Sequence, residues 1–176
     1  MKHGQSVRFA PPPLSMTRTE FIEKFGGVYE HFPEIAGRAW DGGLGPASET
    51  PAGLAASFAA AAAGLDRNAQ LKLIRNHPDL AGRLGIGVLT QASQSEQTGA
   101  GLDQCSPKEF ARFTVLNKLY KEKFKFPFIL AVTGKDRTEI LAAFEQRIEN
   151  DRGTEFQRAL AEIDKIARIR LERLAT

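Results

Sequence analysis

The chain has 176 residues, 42% hydrophobic and 26% charged, with 16 Gly and 9 Pro, ordinary globular usage that excludes whole-chain disorder and a collagen-like repeat. Its 24 basic and 21 acidic residues leave a net charge of only +3. The densest basic run, Lys121, Lys123 and Lys125, is broken by Glu122, and residues 135–176 balance nine basic against nine acidic side chains, so the one-sided positive face of a nucleic-acid binder is missing.

Residues 1–16 read as a flexible leader, because Pro11, Pro12 and Pro13 favour extended backbone and no apolar period is present. Thr17 and Glu20 form a capping box ahead of Phe21, Ile22 and Phe25, and Gly26-Gly27 end that helix. A second short helix is expected through Tyr29 to Trp40, followed by a loop from Asp41 to Pro46. Thr50-Pro51 opens a third helix carrying Leu54 and Phe58, with small residues from Ala59 to Ala63 and a stop at Gly64. Asp66 caps a fourth, with Leu71 and Ile74, which must end near His77 because Pro78 disfavours helical geometry in the residue before it.

Gly82, Gly85 and Gly87 mark a loop, and Thr90 begins a polar helix closed by Gly99 and Gly101. Ser106, Pro107 and Glu109 make another capping box, ahead of Phe110, Phe113, Asn117, Tyr120 and Phe124 at mostly helical spacing. The continuous apolar run Phe126-Pro127-Phe128-Ile129-Leu130-Ala131-Val132 is either a lone strand or a buried irregular segment. Asp136 and Glu139 open a helix bearing Ile140, Leu141, Phe144 and Ile148, and Thr154 opens the last. Seven or eight helices with no partner for a strand define an all-α, single-domain bundle over 17–176, with no internal repeat.

The single Cys105 excludes an intrachain disulfide and a multi-cysteine metal site, and three histidines (His3, His31, His77) leave little for a histidine site. No metal is expected. No apolar run approaches the ~20 residues of a membrane span. The N-terminus lacks a signal-peptide core, interrupted as it is by Gly4, Gln5 and Arg8, so a cytoplasmic protein is expected.

Three places carry chemistry. His77 sits at a helix end fixed by Pro78, and imidazole is the side chain best matched to proton transfer near neutral pH; the plain alternative is a helix-terminal histidine bonding a carbonyl. In Ser93-Gln94-Ser95-Glu96-Gln97, residues 93, 96 and 97 share one helical face offering a hydroxyl, a carboxylate and an amide, against the alternative of a solvated face. On a helical wheel Arg170 falls inside the apolar stripe of Phe156, Leu160, Ile163, Ala167 and Leu174, whereas Arg168 falls outside it. A core-facing arginine needs an anion or several acceptors unless it snorkels to the surface. Spacing alone reaches an acid–base site with an anion-binding arginine and no metal.

The motifs Leu73-Ile74-Arg75-Asn76-His77-Pro78-Asp79-Leu80-Ala81-Gly82, Ser93-Gln94-Ser95-Glu96-Gln97, Phe126-Pro127-Phe128-Ile129 and Lys165-Ile166-Ala167-Arg168-Ile169-Arg170-Leu171, in this order, resemble the OHCU decarboxylase family (2-oxo-4-hydroxy-4-carboxy-5-ureidoimidazoline decarboxylases). The resemblance runs from about Thr19 to Leu174. It implies the family's all-α fold, usually a homodimer, and a cofactor-free loss of carbon dioxide from OHCU to give (S)-allantoin in urate breakdown. The functional neighbours implied are uricase and hydroxyisourate hydrolase. The resemblance further implies that His77, Glu96 and Arg170 are catalytic, and that Pro78, the stretch Ser93, Gln94, Ser95, Glu96, Gln97, and the stretch Phe128, Ile129, Leu130, Ala131, Val132 bind substrate. The chain ends Leu174-Ala175-Thr176, unlike members that carry a peroxisomal tripeptide. The competing reading from another class is a non-catalytic helical module that binds a ureido or purine-like metabolite.

Overall fold

The computed structural model describes residues 7–80 and 90–175. The expected glycine loop at Gly82, Gly85 and Gly87 lies outside them. Eight α-helices are present among the described residues: α1 (Arg18–Phe25), α2 (Glu34–Asp41), α3 (Pro51–Ala63), α4 (Arg67–Arg75), α5 (Gln91–Gly99), α6 (Pro107–Phe124), α7 (Arg137–Arg147) and α8 (Arg152–Leu174). No described residue is in a strand, and no helix among them is long and apolar enough to cross a membrane. The all-α reading holds, and the run from Phe126 to Val132 is buried irregular backbone.

Local chemistry sets the helix starts. Thr17, Ser106 and Asp136 each accept from the backbone of the residue three further on, and Glu20, Glu109 and Glu139 return the bond, so three capping boxes close. Thr50 caps α3 through the Gly53 amide, Asp66 caps α4 through the Ala69 amide, and Thr90 caps α5 through the Ser93 amide. Two starts differ from expectation. Helix α2 begins at Glu34 rather than Tyr29, because His31 takes a left-handed φ of 55° and Pro33 restricts Phe32 before it. Helix α8 begins at Arg152, since Asp151 rather than Thr154 supplies the cap, accepting from the Thr154 amide at 2.9 Å.

The chain forms two compact units, Met1–Gln70 with Asp164–Thr176, and Leu71–Ile163. In the first, Phe21 is the centre of an aromatic cluster with Phe25, Trp40 and Phe58. Residues of the expected leader join it: Phe9 is 3% exposed, packs edge-on against Phe25, and donates its amide to the Glu49 carbonyl. A lone aromatic ahead of three prolines has no helical or strand period, so sequence pattern could not reveal this anchor. In the second unit Tyr120, Phe124, Phe126, Phe128 and Phe144 form the corresponding cluster, with Phe128 stacked on Phe144 at 3.8 Å.

Gly53, in the first turn of α3, lies against the Ala47 carbonyl so closely that a Cβ there would overlap backbone. Gly53→Ala is therefore expected to destabilise by roughly 1–3 kcal/mol despite alanine's better helix propensity. Urea denaturation measures it; a variant as stable as the parent would show that the approach relaxes freely.

Candidate active site

His77 follows α4 and is 8% exposed. Its amide donates to the Ile74 carbonyl at 3.2 Å, and its ring Nδ1 lies 3.3 Å from the Leu73 carbonyl. A carbonyl oxygen only accepts, so Nδ1 carries the proton in that bond, and the neutral ring has its lone pair at Nε2. The bond to a carbonyl at the helix end therefore uses one ring nitrogen and is compatible with a proton-transfer role for the other. Pro78 is half-buried beside it.

Helix α5 divides as its spacing predicts. Ser93 is buried and Glu96 and Gln97 are half-buried, whereas Gln94 and Ser95 are exposed. Gln97 donates through Nε2 to the Asp79 carbonyl at 3.4 Å, which brings the inward face of α5 to the chain just past His77 and Pro78.

The segment from Phe128 to Val132 is buried throughout. The Phe128 ring is committed to the core, stacked on Phe144 with the Arg147 guanidinium 4.5 Å from its centre. Only backbone is therefore left for recognition here, and part of it is taken. The Ile129 carbonyl accepts from Arg147 Nη1 at 2.7 Å, and the Ala131 amide donates to Glu162 Oε2 at 2.9 Å. Among the described residues no acceptor meets the amides of Leu130 or Val132. Buried amides of that kind call for a partner.

Sequence reasoning missed the groups that hold this segment. Arg147 and Glu155 form a buried ion pair at 2.9 Å, and Glu155 also accepts from Tyr120 Oη and from Asn150 Nδ2. Burial, with the Glu155 carboxylate next, pushes the Tyr120 hydroxyl well above its ordinary pKa, so it keeps the proton it donates to Glu155. The wheel through α8 carries no signal for Glu155 and Glu162: at about 100° per residue both fall outside the stripe of Phe156 and Ile163, yet both are buried.

Arg170 lies in the first unit and is 6% exposed, as the wheel requires. Its anion is Glu30, itself 0% exposed: Nη2 donates to Glu30 Oε2 at 3.1 Å and Nη1 to the Val28 carbonyl at 3.3 Å. Tyr29, between them, donates to Asp164 at 2.6 Å. Arg168 is exposed and pairs only with Glu172, four residues on. Among the described residues no three of His, Cys, Asp and Glu gather as a metal site.

The fold is helical, with Gln97 on the half-buried face of α5 bonded to the chain just past a histidine followed by proline. The chain belongs to the OHCU decarboxylase family, whose match spans residues 14–172. It is 40% identical to the 2-oxo-4-hydroxy-4-carboxy-5-ureidoimidazoline decarboxylase of Halalkalicoccus jeotgali over 161 residues, 89% of this chain and 86% of that one. It is 38% identical over 159 residues to a uric acid degradation bifunctional protein of a Bacillus strain, covering 90% of this chain and 30% of that longer one. Its backbone matches the crystal structure of an (S)-allantoin synthase with a TM-score of 0.73 at 30% identity, over 92% of this chain and 52% of that one.

Two outcomes test these buried charges. Arg170→Ala strands Glu30 and should cost about 3–5 kcal/mol, while Arg168→Ala should cost under ~1 kcal/mol. Equal losses in urea titrations would contradict the burial difference. Burial raises the Asp164 carboxyl pKa above its ordinary 3.8, with the Tyr29 bond opposing. The folded state therefore holds that proton more tightly than the unfolded chain, and ionisation lowers stability as pH rises through the folded pKa. Asp164→Asn should thus gain stability relative to the parent above that pKa, and the gain should vanish as pH falls below about 3.8. A gap independent of pH would refute this.

Proposed function

We propose that the protein removes carbon dioxide from OHCU to give (S)-allantoin in urate breakdown, without an added cofactor. Membership of the decarboxylase family supports the reaction, and the observation that carries it here is His77, held through Nδ1 beside the inward face of α5.

OHCU has its carboxylate on a ring carbon next to a C=N bond. When the carbon–carboxylate bond breaks, the electron pair passes into the ring toward that nitrogen, which takes a proton. The ring is then planar at the carbon bearing the ureido group, and a proton delivered to one face sets the handedness. The protein's tasks are to orient the ring, polarise it and govern protons. His77 gives or relays the proton, with Pro78 fixing its place. Glu96 orients His77 or binds the substrate hydroxyl, whose proton leaves as the ring carbonyl of allantoin forms. Ser93 and Gln97 bond the ureido and ring amides, with Gln94 and Ser95 completing their turn. The segment from Phe128 to Val132 contributes backbone, the Leu130 and Val132 amides being suited to the substrate's carbonyl oxygens.

Arg170 stays in the proposal on the family resemblance, as a residue that binds substrate oxygens other than the departing carboxylate. A cation fixed on that carboxylate would stabilise the ground state and slow its loss. The working form is a homodimer in the cytoplasm, acting after uricase and hydroxyisourate hydrolase. Size-exclusion chromatography with light scattering tests the dimer.

The decisive experiment adds the purified protein to urate, uricase and hydroxyisourate hydrolase, and follows circular dichroism of the early product. A single (S) enantiomer formed faster than in buffer is expected. His77→Ala should fold and lose about 10²–10⁴-fold in rate. A racemic product formed at an accelerated rate would remove His77 as the stereospecific donor.

A further inference from the structure

Helix α6 holds the chain on both sides of His77. Before it, Arg75 Nε donates to the Lys125 carbonyl at 3.0 Å. After it, Lys121 Nζ meets Asp79 Oδ2 at 2.7 Å, and Asn117 Nδ2 donates to the Leu80 carbonyl at 2.8 Å. Positions 117, 121 and 125 are spaced four apart and share one face of the helix and its C-cap. Residues 75, 79 and 80 meet them in reverse order, so this stretch runs antiparallel along α6 with His77 and Pro78 carried between the tethers.

Asn117 does not belong in its surroundings on grounds of stability. It is 7% exposed, in line with Phe113 and Tyr120, and its Oδ1 is buried with no hydrogen-bond partner among the described residues. An unmet buried acceptor lowers stability, and an apolar side chain would suit the stripe better. What an apolar residue could not do is hold the Leu80 carbonyl.

We propose that Asn117 and Lys121 are positioning residues for His77: by tying Leu80 and Asp79 to α6 they fix the orientation of its ring and keep Nδ1 on the Leu73 carbonyl. The inference deepens the decarboxylase reading and rests on it for its kinetic consequences. The ring needs such fixing because a displacement of about 1 Å at a reacting group can cost ~10²-fold in rate.

The test uses the full chain with Asn117→Leu and Lys121→Met, and with Lys118→Met as a control on the exposed side of the same helix. Three quantities are read: kcat and KM for freshly generated OHCU, the enantiomeric excess of early allantoin, and the ring nitrogens of His77 by long-range proton–nitrogen NMR, assigned by the signal lost in His77→Gln. The parent should show the Nδ1–H tautomer. Asn117→Leu should populate both tautomers and lose roughly 10–100-fold in kcat with little change in KM. Lys121→Met should move the same way to a smaller extent, and Lys118→Met should match the parent. A folded Asn117→Leu with parental kcat and an unchanged His77 spectrum overturns the proposal, as does a loss confined to KM. If Asn117→Leu does not fold, Lys121→Met decides by the same readings. If the parent does not accelerate allantoin formation, the functional reading fails, and the clamp stands or falls on the His77 spectrum alone.

Discussion

Buried backbone that is not helical must find hydrogen bonds, and in this protein side chains of α7 and α8 supply several of them. An all-helical chain has no sheet ladder to absorb stray amides and carbonyls. The segments Val28–Glu30 and Phe128–Val132 are buried and irregular, the first held by ionisable groups of α8 and the second by Arg147 of α7 together with Glu155 and Glu162 of α8. Glu162 takes the Ala131 amide, and Glu155 holds the Arg147 that takes the Ile129 carbonyl. Farther along, Arg170 takes the Val28 carbonyl and Glu30, and Asp164 takes the Tyr29 hydroxyl.

Ion pairs in such places are not the cheapest route to stability, because desolvating both partners offsets most of their attraction, and apolar replacements of the same volume are often neutral or better. Their value here is geometric. A guanidinium or carboxylate fixed in a helix directs bonds to chosen backbone atoms, which an aliphatic side chain cannot do. In the second unit this leaves the Leu130 and Val132 amides unmet among described residues while their neighbours are tied down.

The same logic recurs around His77. Its ring is bound by a carbonyl of its own helix end, the chain beyond it by Gln97 and by α6, and Arg75 before it by the α6 C-cap. For the proposed reaction, a substrate with its own electron sink asks for little covalent chemistry and much positioning, a demand that the restraints around His77 suit.

Much of this was legible in the chain itself. The helix starts at Thr17, Thr50, Asp66, Ser106 and Asp136 follow from capping chemistry that acts over three or four residues, and the shared face of Ser93, Glu96 and Gln97 and the place of Arg170 in an apolar stripe follow from helical period. Those are local properties, and the sequence determines them. Tertiary structure decided what period cannot reach: that Glu30 answers Arg170 from 140 residues away, that Phe9 is an anchor, and that Asn117, a polar residue in an apolar stripe, holds the Leu80 carbonyl. Each depends on a partner distant in the chain, and no local pattern records which distant group will arrive to satisfy a buried charge or carbonyl.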